Sequence, residues 1–160
     1  MESVRIGHGY DVNKFIEGRP LILGGVRGAH VCGLDGHSDA DVRLHAVMDA
    51  VLGALALGDI GRHFPDHDDA YLGADSMSLA RTVAELMKNA GYRIGNVDVT
   101  MVAQKPKLAP YISCMVENIA SVFSCAPSQI NVKATTEEGL GFTGRMEGIS
   151  AHAVCICVLN

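Results

Sequence analysis

The stretch from Ile149 to Leu159 is apolar on both faces when read at the period of two that governs a strand. A strand without a polar face is expected at the centre of a sheet or covered on both sides. Such a strand needs other strands beside it and helices over it, and both are legible upstream. Val4 to Tyr10 reads as a first strand and ends in Gly7-His8-Gly9-Tyr10-Asp11, a glycine-spaced segment suited to close backbone approach. Leu21-Ile22-Leu23 reads as a short second strand stopped by Gly24-Gly25. Asn96 to Ala103 alternates, with Val97, Val99, Met101 and Ala103 on one side, and Ile130 to Thr135 is a further strand.

Three segments carry the helical period. The clearest runs from about Asp39 to Leu57, with Ser38 as N-cap and Asp41 completing a pair like a capping box. Its Leu44, Val47, Met48, Val51, Leu52 and Leu55 follow the spacing of a buried stripe, and Gly58 is the expected stop. A second helix is expected from Asp75 to Ala90, with Leu79, Val83, Leu86 and Met87 inward and Gly91 ending it. A third begins near Pro110, where proline is tolerated in the first turn, and carries Ile112, Met115, Val116, Ile119 and Val122. Mixed strands with few helices predict an α/β (α+β) fold: one mixed β-sheet with helices packed on one face. No repeat or linker interrupts the chain, so residues 1–160 are read as one domain.

Composition narrows the function classes. Apolar residues make up 48% and charged residues 19%, enough for a real core. The net charge of −5 and the lack of a basic stripe argue against a nucleic-acid surface. An anionic ligand must then be held by a few placed groups. No run approaches the roughly 18 apolar residues of a membrane span, and Met1 to Arg5 lacks the apolar stretch of a signal peptide, so the cytoplasm is expected. The five cysteines are scattered with no C-x-x-C pair, and Cys155 and Cys157 read as small core residues.

Four segments carry residues able to do chemistry. Asp41, His45 and Asp49 are four apart and share one helix face, from which His45 can reach a metal shared with Asp11. A solvated helix face explains the same spacing. His37 stands just before the expected N-cap, where backbone N–H groups and the helix dipole favour a phosphate; a plain loop histidine is the other reading. Lys133 to Arg145 runs from a strand through Thr135, Thr136, Glu137 and Glu138 into a glycine-rich turn. Its hydroxyls and Arg145 suit phosphate oxygens and a carboxylate suits Mg²⁺, although a glycine-rich hairpin accounts for the pattern too. Asp59 to Asp69 is acidic and irregular. Its His63, Asp66, His67 and Asp68 can mimic a metal site or form a solvated loop.

In this order, the segments Arg5-Ile6-Gly7-His8-Gly9-Tyr10-Asp11-Val12, Gly36-His37-Ser38-Asp39-Ala40-Asp41-Val42 with His45, Leu57-Gly58-Asp59-Ile60-Gly61, Phe64-Pro65-Asp66, Gly73-Ala74-Asp75-Ser76, Gly95 to Thr100, Ala103-Gln104-Lys105-Pro106-Lys107 and Asn131 to Thr136 with Gly141 to Arg145 resemble the 2-C-methyl-D-erythritol 2,4-cyclodiphosphate synthase family over nearly the whole chain. The resemblance implies a homotrimer with active sites between subunits. It also implies a 4-diphosphocytidyl-methylerythritol 2-phosphate substrate whose 2-phosphate oxygen attacks the β-phosphorus, closing a ring and expelling CMP. By the same resemblance, Asp11 and His45 match zinc ligands, and His37 and Thr136 match the pair at the transition state. Ser38 joins the substrate-binding set. Asp59, Ile60 and Gly61, with Phe64, Pro65, Asp66, His67 and Asp68, match the segment holding the methylerythritol. Ala103, Gln104, Lys105, Pro106, Lys107, Leu108 and Ala109 match the cytidine pocket. Thr135, Thr136, Glu137 and Glu138 match the phosphate loop, with Glu138 the contact for magnesium or manganese. Phe142 and Arg145 match positions near the substrate and the trimer centre.

The family's pattern at the first metal is Asp-Val-His, and here it is Asp11-Val12-Asn13. An amide oxygen is a poor zinc donor beside imidazole. Three arrangements compete: zinc held by Asp11, His45, a weak Asn13 oxygen and substrate phosphate, which is the expectation; an oxygen-preferring ion; or a site filled only with substrate. Period two puts His8 on the face opposite Asp11, so it is not expected to substitute. A metal phosphohydrolase built on His37, Asp41 and His45 is a second functional reading. A nucleotide- or isoprenoid-phosphate-binding protein with impaired catalysis is a third.

Overall fold

In the computed structural model of the chain, residues 3–17, 22–23, 26–27, 32–34, 41–71 and 73–160 are described, and side chains for residues 3–15, 41–71 and 73–160. The strands are β1 (Val4–Glu17), β2 (Ile22–Leu23), β3 (Val26–Arg27), β4 (Cys32–Leu34), β5 (Tyr92–Val102), β6 (Ile130–Thr135) and β7 (Gly148–Leu159). The helices are α1 (Val42–Ala54), α2 (Ile60–His63), α3 (Ser76–Asn89), α4 (Ile112–Val122) and α5 (Gly141–Gly144). The main sheet has the order β4-β1-β7-β5-β6, while β2 and β3 form a separate ribbon. It is mixed, because β5 and β6 run parallel and every other pair is antiparallel.

The apolar strand β7 takes the centre, as its pattern predicts, pairing with β1 from Lys14 to Val4 and with β5 from Val102 to Tyr92. Ile149, Ala151, Ala153, Cys155 and Cys157 are fully buried under the helices. The opposite face is open in the single chain: His152 is exposed, and Val4, Ile6, Tyr10, Val12 and Val154 are large hydrophobics on that side. All the long helices lie on the other face, with α1 against β1 and β7, α3 against α1 and α4 against β6.

Helix α1 is pressed onto the sheet, and the two glycines of the first strand make that possible. A Cβ on Gly7 would stand 1.8 Å from the Ala50 carbonyl oxygen, and one on Gly9 would stand 1.9 Å from that of Ala46. The predicted stripe is buried, but so are Arg43, Ala46 and Ala50 on other sides of the helix. A helix lying across the middle of a sheet and flanked by a second helix keeps little free surface. His45 and Asp49 are the polar positions left half-buried at its edge.

Several boundaries differ from the sequence expectation. Strand β1 continues past Tyr10 to Glu17, because β7 and then β4 supply partners along that length. The described part of α1 starts at Val42, where Asp41 is the cap and accepts the Leu44 N–H at 3.1 Å; the expected cap Ser38 lies outside the described residues. The helix ends before Gly58. Ala56 takes the left-handed conformation (φ 56°), and the Leu57 and Ala56 N–H groups donate to the carbonyls of Leu52 and Gly53, the pattern of a Schellman stop. Strand β5 starts at Tyr92, four residues early, with an irregular register at Gly95. Two segments read as irregular or as a hairpin are single helical turns, α2 and α5. The second helix matches closely, capped by Asp75 and stopped at Gly91 (φ 83°). Of the strand expected at 21–23, Ile22 and Leu23 pair with Val26 and Arg27; Leu21, Gly24 and Gly25 lie outside the described residues. Cys155 and Cys157 are buried thiols, whereas Cys114 is exposed and Cys125 half-buried.

Candidate active site

Asp11 and Asn13 are two apart on β1, so both point to the helix side of the sheet. His45 and Asp49 are one turn apart on α1 and meet them there. These four, with Ile60, Gly61, Phe64, Asp66, Tyr71 and Leu79, line a cavity of about 330 Å³. His45 Nδ1 lies 3.3 Å from Asp11 Oδ2, and the Asn13 amide nitrogen donates to that same oxygen at 3.2 Å. On its other side His45 Nε2 pairs at 2.9 Å with Ser76 Oγ, the first residue of α3. A second hydrogen bond of this kind fixes the ring, as is usual for a metal-binding imidazole. Asp49 Oδ1 accepts the Ile60 N–H at 2.8 Å and so ties α1 to α2. Burial pushes the Asp49 carboxyl above its ordinary value, the Ile60 hydrogen bond opposes that, and the charges of Asp59 and Asp11 add to the rise.

The predicted face of Asp41, His45 and Asp49 is thus divided. Asp41 is fully buried as a helix cap, and only His45 and Asp49 reach the cavity. Asp59 caps α2 by accepting the Arg62 N–H at 2.9 Å. His63 Nε2 donates to the Leu57 carbonyl at 2.9 Å, and Asp68 Oδ1 accepts the Ala70 N–H at 2.9 Å, so these two side chains are occupied within their loop. Pro65, His67 and Asp68 follow Phe64 and Asp66 without lining the cavity. His8 points to the opposite sheet face and pairs with His152 across 3.3 Å, as period two predicts. Ser76, Tyr71 and Leu79 are not read as site residues from sequence: Leu79 enters there as part of the inward face of the second helix and Ser76 as part of Gly73-Ala74-Asp75-Ser76.

A second group gathers at the ends of β5 and β6. Ala103, Gln104, Pro106, Lys107, Leu108 and Ala109 line a cavity of about 300 Å³ together with Ala134, Thr135 and Thr136. Lys105, also expected here, is exposed and does not line it. Thr136 is shared with an open cavity lined by Glu137, Glu138, Leu140 and Gly141. Thr136 Oγ1 accepts the Glu138 N–H at 3.2 Å, and the Thr143 hydroxyl donates to Glu137. Phe142 and Arg145 line neither of these cavities, and Arg145 Nε donates to Glu147 Oε1 at 2.7 Å. Among the described residues this group shares no lining residue with the Asp11–His45 cavity. The expected catalytic His37 and its neighbour Ser38 lie outside the described residues.

Among the described residues no three His, Cys, Asp or Glu side chains cluster as a metal site. Asp11 and His45 are two donors suited to a divalent ion, and the Asn13 amide becomes a third, oxygen donor if it turns Oδ1 inward. The donor chemistry therefore fits such an ion with one weak ligand.

A carboxylate–imidazole pair in one cavity and hydroxyls, backbone turns and a lysine in another give this α/β protein polar groups whose chemistry suits a phosphorylated small molecule. The model of the YgbB family matches residues 4–158, and the chain belongs to that family. It is 61% identical over 155 residues to the 2-C-methyl-D-erythritol 2,4-cyclodiphosphate synthase of Pelobacter propionicus, covering 97% of this chain and 98% of that protein. It is 60% identical over 152 residues to the synthase of the same name from Agathobacter rectalis, covering 95% and 86%. Among solved structures, IspF of Plasmodium falciparum in complex with CDP superposes with a TM-score of 0.86 at 35% identity, over 99% of this chain and 97% of that one. The bifunctional IspDF of Campylobacter jejuni gives 0.96 at 40% identity, over 100% of this chain and 43% of that one. The family uses divalent metals. Among the described residues, no helix is long and apolar enough to cross a membrane.

Proposed function

We propose that the chain converts 4-diphosphocytidyl-2-C-methyl-D-erythritol 2-phosphate to 2-C-methyl-D-erythritol 2,4-cyclodiphosphate and CMP, in the non-mevalonate route to isoprenoids. The observation that carries this is the meeting of Asp11 and His45 in one cavity, in a chain about 60% identical to proteins named as that synthase. An oxygen of the 2-phosphate attacks the β-phosphorus. The new P–O bond closes the ring as the bond from that phosphorus to the bridging oxygen breaks, and the bridging oxygen leaves with CMP. Such a transfer needs alignment and charge neutralisation more than covalent help from the protein.

The residues divide that work. Zinc at Asp11, His45 and, weakly, Asn13, and magnesium or manganese at Glu138, would neutralise phosphate charge when bound. His37 and Thr136 donate hydrogen bonds to the transferring group; the Thr136 hydroxyl keeps its proton for this, since its oxygen is the acceptor for the Glu138 N–H. Ser38, Asp59 to Gly61 and Phe64 to Asp68 hold the methylerythritol part. Ala103 to Ala109 hold the cytidine, with Lys107 against its phosphates. Thr135 to Glu138 hold the diphosphate, and Phe142 and Arg145 stand near the substrate and the subunit axis.

The two cavities are expected to complete one another across neighbouring copies of a homotrimer. The open sheet face supports assembly, with Ile6 70% and Val4 54% exposed. The chain is proposed to act as one domain in the cytoplasm.

Incubating the protein with the diphosphocytidyl substrate and following phosphorus NMR tests the reading. Cyclic diphosphate with CMP is expected. Open-chain hydrolysis products or binding without turnover would overturn it, the first in favour of a phosphohydrolase.

A further inference from the structure

The nucleotide-type segment and the phosphate-type loop come from different crossovers, one after β5 and one after β6. The parallel pairing of β5 with β6 brings their ends together, and the Ala103 N–H donates to the Thr135 carbonyl at 3.0 Å. Beyond that backbone bond a side chain joins them. Gln104 lines the cavity with Lys107 and Leu108, yet its Oε1 reaches out of that segment to accept the Gly139 N–H at 3.2 Å. Gly139 directly follows Glu138, and both residues are left-handed, at φ 80° and 54°. A left-handed glutamate is disfavoured relative to ordinary backbone, so the turn needs outside support to persist. It has the Thr136 hydroxyl on the Glu138 N–H, the Thr143 hydroxyl on Glu137, and Gln104 on Gly139. Of these three, only Gln104 comes from outside the 136–143 segment.

We infer that Gln104 is a positioning residue: its Oε1, on the Gly139 N–H, holds the Glu138 carboxylate in place relative to a nucleotide seated at Ala103 to Ala109. The inference rests on reading these two segments as nucleotide and diphosphate sites. Gln104 then works through the loop, and the cation requirement of the reaction depends on it more than nucleotide affinity does. The bond joins exposed loops, so the fold does not depend on it.

Gln104→Met keeps the length of the side chain and removes the acceptor. Its expected signature has four parts. Solvent exchange of the Gly139 amide, followed by NMR, rises roughly tenfold, the ratio that one hydrogen bond of ordinary net strength spans. The thermal midpoint stays unchanged. The magnesium concentration giving half-maximal CMP release rises roughly tenfold on the same ratio, a larger change than the loss of CMP affinity in metal-free buffer measured by calorimetry. Gln104→Glu, which keeps an oxygen there, restores the amide protection. Unchanged Gly139 exchange overturns the inference, and so does a loss of CMP affinity with the magnesium requirement unmoved, which would make Gln104 a nucleotide contact. A wild-type protein that releases no CMP would instead defeat the functional reading, and the amide exchange would still decide whether Gln104 holds the loop.

Discussion

The Asn13 amide nitrogen donates to Asp11 Oδ2 across 3.2 Å, and that oxygen is the one facing His45 Nδ1 at 3.3 Å. Asn13, proposed above as a weak third ligand, therefore acts here as a hydrogen-bond donor to Asp11, the proposed first. To bind a cation through Asn13, the amide must give up that bond and turn a neutral oxygen inward, a weaker donor than imidazole. Replacing Asn13 by histidine is expected to tighten zinc binding by at least about tenfold, in line with what ligand-shell changes at metal sites produce. Zinc titration into metal-stripped wild-type and Asn13→His proteins measures it, and equal affinities would defeat the prediction.

The same strand carries a steric constraint. Gly9 lies two residues before Asp11, and a methyl group there would sit inside the Ala46 carbonyl of α1. Neither atom belongs to a flexible side chain, so strand and helix must separate. Gly9→Ala is expected to lower stability by about 3 kcal/mol or more, at or beyond the upper end for overpacking a core. Because His45 rides on α1 and Asp11 on β1, zinc affinity should fall with it. A urea midpoint within error of wild type would show that the two elements do not meet as described.

Arg43 carries an opposite prediction. Its side chain is fully buried, and among the described residues Nε and both Nη atoms have no hydrogen-bond partner. Burial lowers its pKa from the ordinary guanidinium range to about 10, against the raising effect of Asp41 and Cys114. Arg43→Leu removes an unsatisfied cation of similar bulk and is expected to stabilise the protein by roughly 1–3 kcal/mol at pH 7. The pH sign follows from proton binding. Above about pH 10 the native guanidinium releases its proton while the unfolded chain still holds it, so the wild type gains stability with rising pH in that window. The advantage of the leucine variant, measured by urea unfolding at pH 7 and pH 11, should shrink at the higher pH. An advantage that grew there would contradict a depressed Arg43.

The elements read most accurately from sequence were those whose signals are local. Helix α3 has its cap, stripe and stop within its own residues, and β6 was located to the residue. The α1 stop was misplaced because Gly58 is the obvious terminator, whereas Ala56 takes the left-handed turn. A left-handed alanine has no sequence signature, and the hydrogen bonds of Leu57 and Ala56 make it tolerable. At the site, Asp11 and His45 were legible because strand and helix periods put them on defined faces. Ser76 and Tyr71 were not, because they come from other elements that only packing brings to the cavity.

Sequence alone determined the family, the central place of β7 and the residue types able to meet phosphate and metal. Periodicity and ordered motifs are properties of neighbours along the chain, and they need no knowledge of distance. Tertiary structure decided that Gly7 and Gly9 are glycines so that α1 can touch the strand, that Asn13 bonds to Asp11, and that Gln104 reaches Gly139. The last two turn on side-chain direction over about 3 Å, the range within which a hydrogen bond forms or fails, and the first on contact between residues some forty positions apart.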